Sequence, residues 1–148
     1  MAKKNLVSDL KQKAKELRKD IITMIYNAQS GHPGGSLSAI DMIVGLYYYK
    51  LRVDPKNPLW QDRDRFVLSK GHCSPAIYAV LADKGFFPKS ELDGYRKINK
   101  MLQGHPELSI PGIDFAGGAL GQGISFALGI ALACRIDKKN CSVYAMIG

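Results

Sequence analysis

Apolar residues recur at helical spacing through the N-terminal region. Leu10, Ala14, Leu17, Ile21, Met24 and Ala28 fall three or four positions apart and share one face, which predicts a helix from about Leu6 to Gln29. Gly31 and Pro33 end it. Ser38, with Asp41 three residues on, reads as a capping box for a second helix carrying Ile40, Ile43, Val44, Tyr47 and Tyr48 to about Leu51. Pro55 and Pro58 mark an irregular stretch. Phe66-Val67-Leu68-Ser69 is a short apolar run between charges and a glycine, and reads as a buried strand. Ser74 before Pro75 predicts a helix start, with the helix running to Lys84-Gly85. Ser90 and Asp93 begin another short helix reaching about Lys100. The segment from Gly121 to Arg135 is apolar almost all round, through Ile124, Phe126, Leu128, Ile130 and Leu132, and predicts a deeply buried helix. After a turn at Asp137 to Asn140, Val143 to Ile147 reads as a second buried strand.

Strands separated by helices predict an α/β fold with a parallel sheet. Only two strands are evident, whereas parallel sheets are covered on both faces and usually contain more. No repeat, linker or composition break divides the chain. The reading is therefore one continuous unit, residues 1–148, with helices around an incomplete parallel sheet and forming part of a larger fold.

Composition narrows the class only slightly. The 148 residues are 46% hydrophobic and 23% charged, the ordinary make-up of a globular domain. No apolar run approaches the roughly 20 residues needed to span a bilayer, so no membrane role is expected. The basic start Met1-Ala2-Lys3-Lys4 is not followed by an apolar run, which argues against a secretory signal. Cys73, Cys134 and Cys141 make an odd count without CxxC spacing, predicting free thiols in a reducing cytoplasm. The net charge of +8 suits anionic partners. Much of the excess (Lys3, Lys4, Lys11, Lys13, Lys15, Arg18, Lys19) alternates with core positions of the first helix, which describes a solvated face. No recognition-helix or RNP-like pattern is present, so nucleic acid is not an expected partner.

Candidate chemistry is concentrated in turns. All three histidines lie in Gly/Pro-rich segments: Ser30-Gly31-His32-Pro33-Gly34-Gly35, Ser69-Lys70-Gly71-His72-Cys73-Ser74-Pro75 and Gly104-His105-Pro106-Glu107. Imidazole can donate, accept or carry charge near neutral pH. Three such turns point to loops converging on one polar, anionic ligand; the plain alternative is three unrelated connections. A zinc site from His32, His72, His105 and Cys73 lacks any local pair at ligand spacing. Gly117-Gly118-Ala119-Leu120-Gly121-Gln122-Gly123 leads straight into the apolar helix. Its glycines serve either close packing or a cofactor, since backbone N–H groups at a helix start favour anions. It is neither a dinucleotide fingerprint nor a P-loop. The charged run Asp62-Arg63-Asp64-Arg65 reads either as a solvated edge or, with Trp60 beside it, as a packed corner.

These motifs resemble the N-terminal part of the transketolase family, and they come in the family's order: Ser30 to Ser38 (SGHPGGSLS), Trp60 to His72 (WQDRDRFVLSKGH), Gln103 to Glu107 (QGHPE) and Gly118 to Ser125 (GALGQGIS). The resemblance covers nearly the whole chain and is greatest to the split form, in which N- and C-terminal sections are separate polypeptides. It implies thiamine diphosphate and Mg²⁺ as cofactors, sugar phosphates as substrates, a C-terminal section and a homo- or hetero-oligomer as partners, and a place in the cytoplasmic pentose phosphate pathway. The implied reaction moves a two-carbon ketol unit from a ketose phosphate to an aldose phosphate. By the resemblance, His32, His72 and His105 are the catalytic candidates. His32 matches a histidine contacting the sugar hydroxyls, His72 one near the cofactor diphosphate, and His105 one bonding the ketol end. Gly118 and Leu120 match backbone lining the cofactor. Arg96, nine residues before His105, matches an arginine that binds the substrate phosphate. Ala119 and Cys73 depart from common family residues, and Cys73 places a thiol near the site. The family's Gly-Asp-Gly metal motif would begin at Gly148, so the Mg²⁺ ligands are expected beyond this chain, which alone is expected to bind cofactor poorly. Two other implied readings are a non-catalytic assembly or regulatory partner and a section of a relative such as dihydroxyacetone synthase.

Overall fold

The computed structural model describes residues 3–148, with side chains from Asn5 onward. Met1 and Ala2 of the basic N-terminal run, and the side chains of Lys3 and Lys4 on the solvated face, lie outside the described residues. Six regular elements follow in order: α1 (Lys3–Ala28), α2 (Pro33–Gly45), β1 (Arg65–Leu68), α3 (Ser74–Lys84), α4 (Gln122–Ile136) and β2 (Val143–Met146). The two strands pair in parallel, Arg65 opposite Val143 through Leu68 opposite Met146. The architecture is the expected one of helices around a small parallel sheet.

The first helix follows its pattern: Ala14, Leu17, Ile21 and Met24 are buried, with Leu10 and Ala28 packed at the margin. Lys11, Lys15 and Lys19 face solvent, and Arg18 pairs with Asp41 on α2. That pairing shows why the second helix departs from expectation. It starts at Pro33, whose ring presets the helical backbone, and not at Ser38. Ser38 lies inside the helix and donates its hydroxyl back to the Gly35 carbonyl at 2.9 Å, so neither half of the expected capping box caps anything. The last turn of this segment widens to π-type geometry over Leu46–Lys50.

The central helix is α3. Every residue from Ser74 to Ala82 is buried, and the helix packs against α1 and α2. Gly85 closes it in the left-handed region (φ 87°), its N–H reaching the Ala82 carbonyl while Phe86 N–H reaches Leu81. The expected helix from Ser90 to Lys100 is only a tight turn, Lys89–Gly94. Arg96 and Asn99 adopt left-handed backbone (φ 57° and 59°), which no α-helix accommodates.

The largest correction concerns α4. Its apolar composition predicts deep burial, yet only Gly123 and Ala127 are buried, while Ile124, Phe126, Leu128 and Leu132 are about half exposed or more. The helix meets the sheet through Ala127 and the partly buried Ile130, next to Val67 and Phe115, while the exposed Phe126 lies with its ring centroid 4.8 Å from that of Phe115. Cysteine is the second correction: Cys134 and Cys141 form a disulfide, and only Cys73 is a free thiol. The turn between α4 and β2 brings their Cα atoms to 6.6 Å, a proximity that linear spacing without a CxxC pair conceals.

Candidate functional site

Strand β1 delivers the chain to the site. Beyond Leu68, the segment Ser69 to Cys73 turns sharply before α3 begins. The starts of three helices gather around it. Gly35, in the first turn of α2, lies so close that a Cβ there would stand 2.6 Å from the Cys73 sulfur and 3.2 Å from His72 Nε2. The start of α4 is tied in by Gly123 N–H donating to Ser69 Oγ at 3.0 Å. Helix α3 starts in the segment itself. This is the carboxyl end of a parallel strand, where α/β folds bind ligands, and helix starts favour anions.

The three histidine turns converge here. The rings of His32 and His72 meet edge to face with centroids 5.2 Å apart. A side chain on Gly71 would collide with the Gly117 carbonyl and stand 3.0 Å from the His105 ring; only glycine permits this approach of two loops. On its other side, His105 lies by Gly118, where a Cβ would be 3.4 Å from Nε2. The His105 loop is anchored from α3. Ser74 donates its hydroxyl to the Gly104 carbonyl at 2.8 Å, and the buried Tyr78 hydroxyl lies 2.9 Å from the Gln103 carbonyl and 3.1 Å from that of His105. Ser74 thus serves the loop and not as the expected N-cap, a position held by Cys73.

The electrostatics agree with this convergence. Burial, followed by the nearby charges of His32, Lys70 and His105, pulls His72 below its ordinary value, so its neutral form is favoured. Burial pushes the Cys73 thiol up against the opposing pull of Lys70, leaving it protonated and a poor nucleophile. His32 and His105 are exposed, and His72 is half-buried. Among the described residues, no three His, Cys, Asp or Glu side chains are arranged to hold a metal ion.

Arg96 stands at the edge of this cluster. It donates from Nη1 to Ser30 Oγ at 2.9 Å, and a Cβ on Gly104 would lie 2.9 Å from its guanidinium carbon. It therefore bridges the His32 and His105 turns. Leu120 is 63% exposed on the loop before α4. Lys70 and Ser30 were visible within the quoted motifs, yet only the three-dimensional arrangement shows that they touch the site.

The charged run before β1 is a packed corner and not a solvated edge. Arg63 forms a two-pronged pair with Asp114 (2.6 and 3.0 Å), both side chains less than a tenth exposed, and Asp114 also accepts the Phe66 N–H at 2.9 Å. Asp64 accepts from Arg52 and from the N–H of Ser142 at 2.8 Å, which joins β1 to the start of β2. This network fixes the strand that carries the His72 turn.

A parallel-strand end ringed by helix starts, imidazoles and close-packed glycines is the hallmark of an α/β domain that holds an anionic cofactor. The comparisons define it further. The profile of the family "Transketolase, thiamine diphosphate binding domain" matches residues 10–144, and the chain belongs to that family. It is 39% identical over 142 residues to an apulose-4-phosphate transketolase subunit of Phocaeicola vulgatus, covering 96% of this chain and 50% of that protein. It is 44% identical over 141 residues to the 6-deoxy-6-sulfo-D-fructose transketolase subunit SqwG of a Clostridium species, covering 95% and 51%. The crystal structure of Campylobacter jejuni transketolase superimposes with a TM-score of 0.88 at 35% identity, over 94% of this chain and 23% of that one. The chain thus spans about half the length of the first two of these relatives.

Proposed function

We propose that this chain is the N-terminal, cofactor-binding section of a split transketolase, which moves a two-carbon ketol unit from a ketose phosphate to an aldose phosphate. The observation that carries the proposal is the convergence of His32, His72 and His105 at the end of β1. That both half-matched relatives are named as subunits supports the split arrangement and a separate C-terminal section as partner, within a homo- or hetero-oligomer. Cytoplasmic location and a place in the pentose phosphate pathway accompany this reading.

The convergence of these loops suits thiamine diphosphate. Glycine at 35, 71 and 118 lets the loops that carry the three histidines pack together, and helix starts and Lys70 supply positive potential for a diphosphate. His72 and the Gly118–Leu120 backbone would hold the cofactor. Mg²⁺ would accompany the diphosphate. When bound, the cofactor supplies the chemistry that cleaves and forms the carbon–carbon bond beside a ketone. This chain's residues handle protons and position. Neutral His72 is able to accept a proton at its unprotonated ring nitrogen. His105, held by the Tyr78 and Ser74 anchors, presents its ring to the ketol end, and exposed His32 faces the sugar hydroxyls. Arg96 receives the substrate phosphate.

The test is steady-state ketol transfer by the chain assembled with a C-terminal section. His105→Ala should lower kcat by about 10²- to 10⁴-fold if it handles a proton. Arg96→Ala should raise KM for phosphorylated sugars and leave free sugars nearly unchanged. Unchanged kinetics in the first variant, or an equal effect on both sugars in the second, rejects that assignment.

A further inference from the structure

We infer that Tyr95 and Ser30 are positioning residues that preset the Arg96 guanidinium to receive a phosphomonoester, and thereby set the preference for phosphorylated over free sugars. The inference rests on the reading of Arg96 as the phosphate-binding residue. Arg96 occupies left-handed backbone at φ 57°, a conformation disfavoured for any side chain with a Cβ, and its N–H is fixed to the Leu102 carbonyl at 2.8 Å. The surroundings therefore hold the residue where it would not settle by itself.

The side chain is equally constrained. Its Nε donates to Tyr95 Oη at 3.1 Å, its Nη1 donates to Ser30 Oγ at 2.9 Å, and its guanidinium carbon stands 5.6 Å from the centre of the Tyr95 ring. Tyr95 is 1% exposed and braced edge to face on Tyr78, the residue that anchors the His105 loop, with ring centroids 6.2 Å apart. Two of the five guanidinium N–H groups are thus consumed by neutral hydroxyls, and three remain. Among the described residues, no carboxylate lies within ion-pair distance of Arg96, although Arg18 and Arg63 each have one. A half-buried guanidinium with donors to spare and no counter-charge calls for an anion, and its fork matches a phosphate. Gly104 leaves room for the group against the loop that carries His105. Tyr95 and Ser30 cancel none of the charge. They reduce the rotamer freedom that phosphate binding would otherwise have to remove.

The experiment uses the chain assembled with its C-terminal section, assayed with an aldose phosphate and with the same aldose unphosphorylated. Tyr95→Phe keeps the buried ring and removes the acceptor for Nε. It should raise KM for the phosphorylated acceptor about five- to tenfold, a typical loss for one hydrogen bond, with kcat and the KM of the free aldose moving less than twofold. Ser30→Ala, at an exposed position that folding does not need, should act in the same direction, and Ser30→Thr should restore the parent KM. A merely structural role would lower the thermal midpoint and affect both acceptors alike, which would overturn the inference. If Arg96→Ala is phosphate-selective while Tyr95→Phe and Ser30→Ala both leave the KM ratio unchanged, the inference fails and the Arg96 assignment stands. If Arg96→Ala itself shows no selectivity, both fall.

Discussion

Replacing Asp114 with alanine is the sharpest test of how the site's supporting strand is held. Asp114 accepts from Arg63 at 2.6 and 3.0 Å and from the Phe66 N–H at 2.9 Å, and its side chain is 6% exposed. Removing it leaves a guanidinium that is 9% exposed without a counter-charge. Breaking a buried pair from one side costs about 3–5 kcal/mol, whereas losing an exposed pair costs about 0–1 kcal/mol. With a urea dependence of roughly 2 kcal/mol per molar, the unfolding midpoint should fall by about 1.5–2.5 M. The single tryptophan, Trp60, reports on this corner because its carbonyl accepts from Arg63 N–H, and far-ultraviolet dichroism follows the helices in parallel. The paired variant Arg63→Met/Asp114→Leu removes the orphaned Arg63 charge and should recover part of the loss; Phe66 N–H stays without its acceptor at about 1–3 kcal/mol, and Arg65, 3.8 Å from Asp114, also loses that counter-charge. A loss below about 1 kcal/mol for Asp114→Ala would mean that the pair is solvated, and the packed-corner account would be wrong.

Three further outcomes follow from the geometry. Gly71→Ala drives a methyl into the Gly117 carbonyl and the His105 ring, so the two loops must separate; cofactor affinity should drop at least tenfold while the helical dichroism is kept, and undiminished affinity would contradict the contact. Because His72 titrates below its ordinary 6.5 in the folded chain, the unfolded state binds more protons between that lower value and 6.5. Stability should therefore decline as pH falls below about 6.5, and His72→Gln should flatten this part of the profile in urea titrations at several pH values. A thiol reagent should find no reactive cysteine in the native oxidised chain, one (Cys73) after unfolding, and three once the Cys134–Cys141 bond is also reduced.

Local patterns were legible in the sequence, and non-local pairings were not. The stripe from Ala14 to Met24 and both strands appear where periodicity puts them, and the glycine, proline and histidine turns marked all three loops of the site. Helix α4 shows the limit. Apolar composition measures how much surface asks to be buried, not which side the chain itself covers, and here only Gly123 and Ala127 are buried. Ser74 and Ser38 read as caps because serine favours helix starts, but each donates to a carbonyl instead, Ser74 to one 30 residues away. The Arg63–Asp114 pair spans 51 positions and the Arg96–Ser30 bond 66, and no local spacing encodes either. Left-handed backbone at Arg96 stopped a helix that its flanking residues would support.

The central claim is that His32, His72 and His105 surround a thiamine diphosphate site. Calorimetric titration of thiamine diphosphate with Mg²⁺ into the chain assembled with a C-terminal section tests it most directly, for the parent and for His72→Ala. The account predicts saturable binding by the parent and a loss of about tenfold or more in affinity for the variant. Absence of binding by the parent assembly, or equal affinity in both proteins, would contradict it.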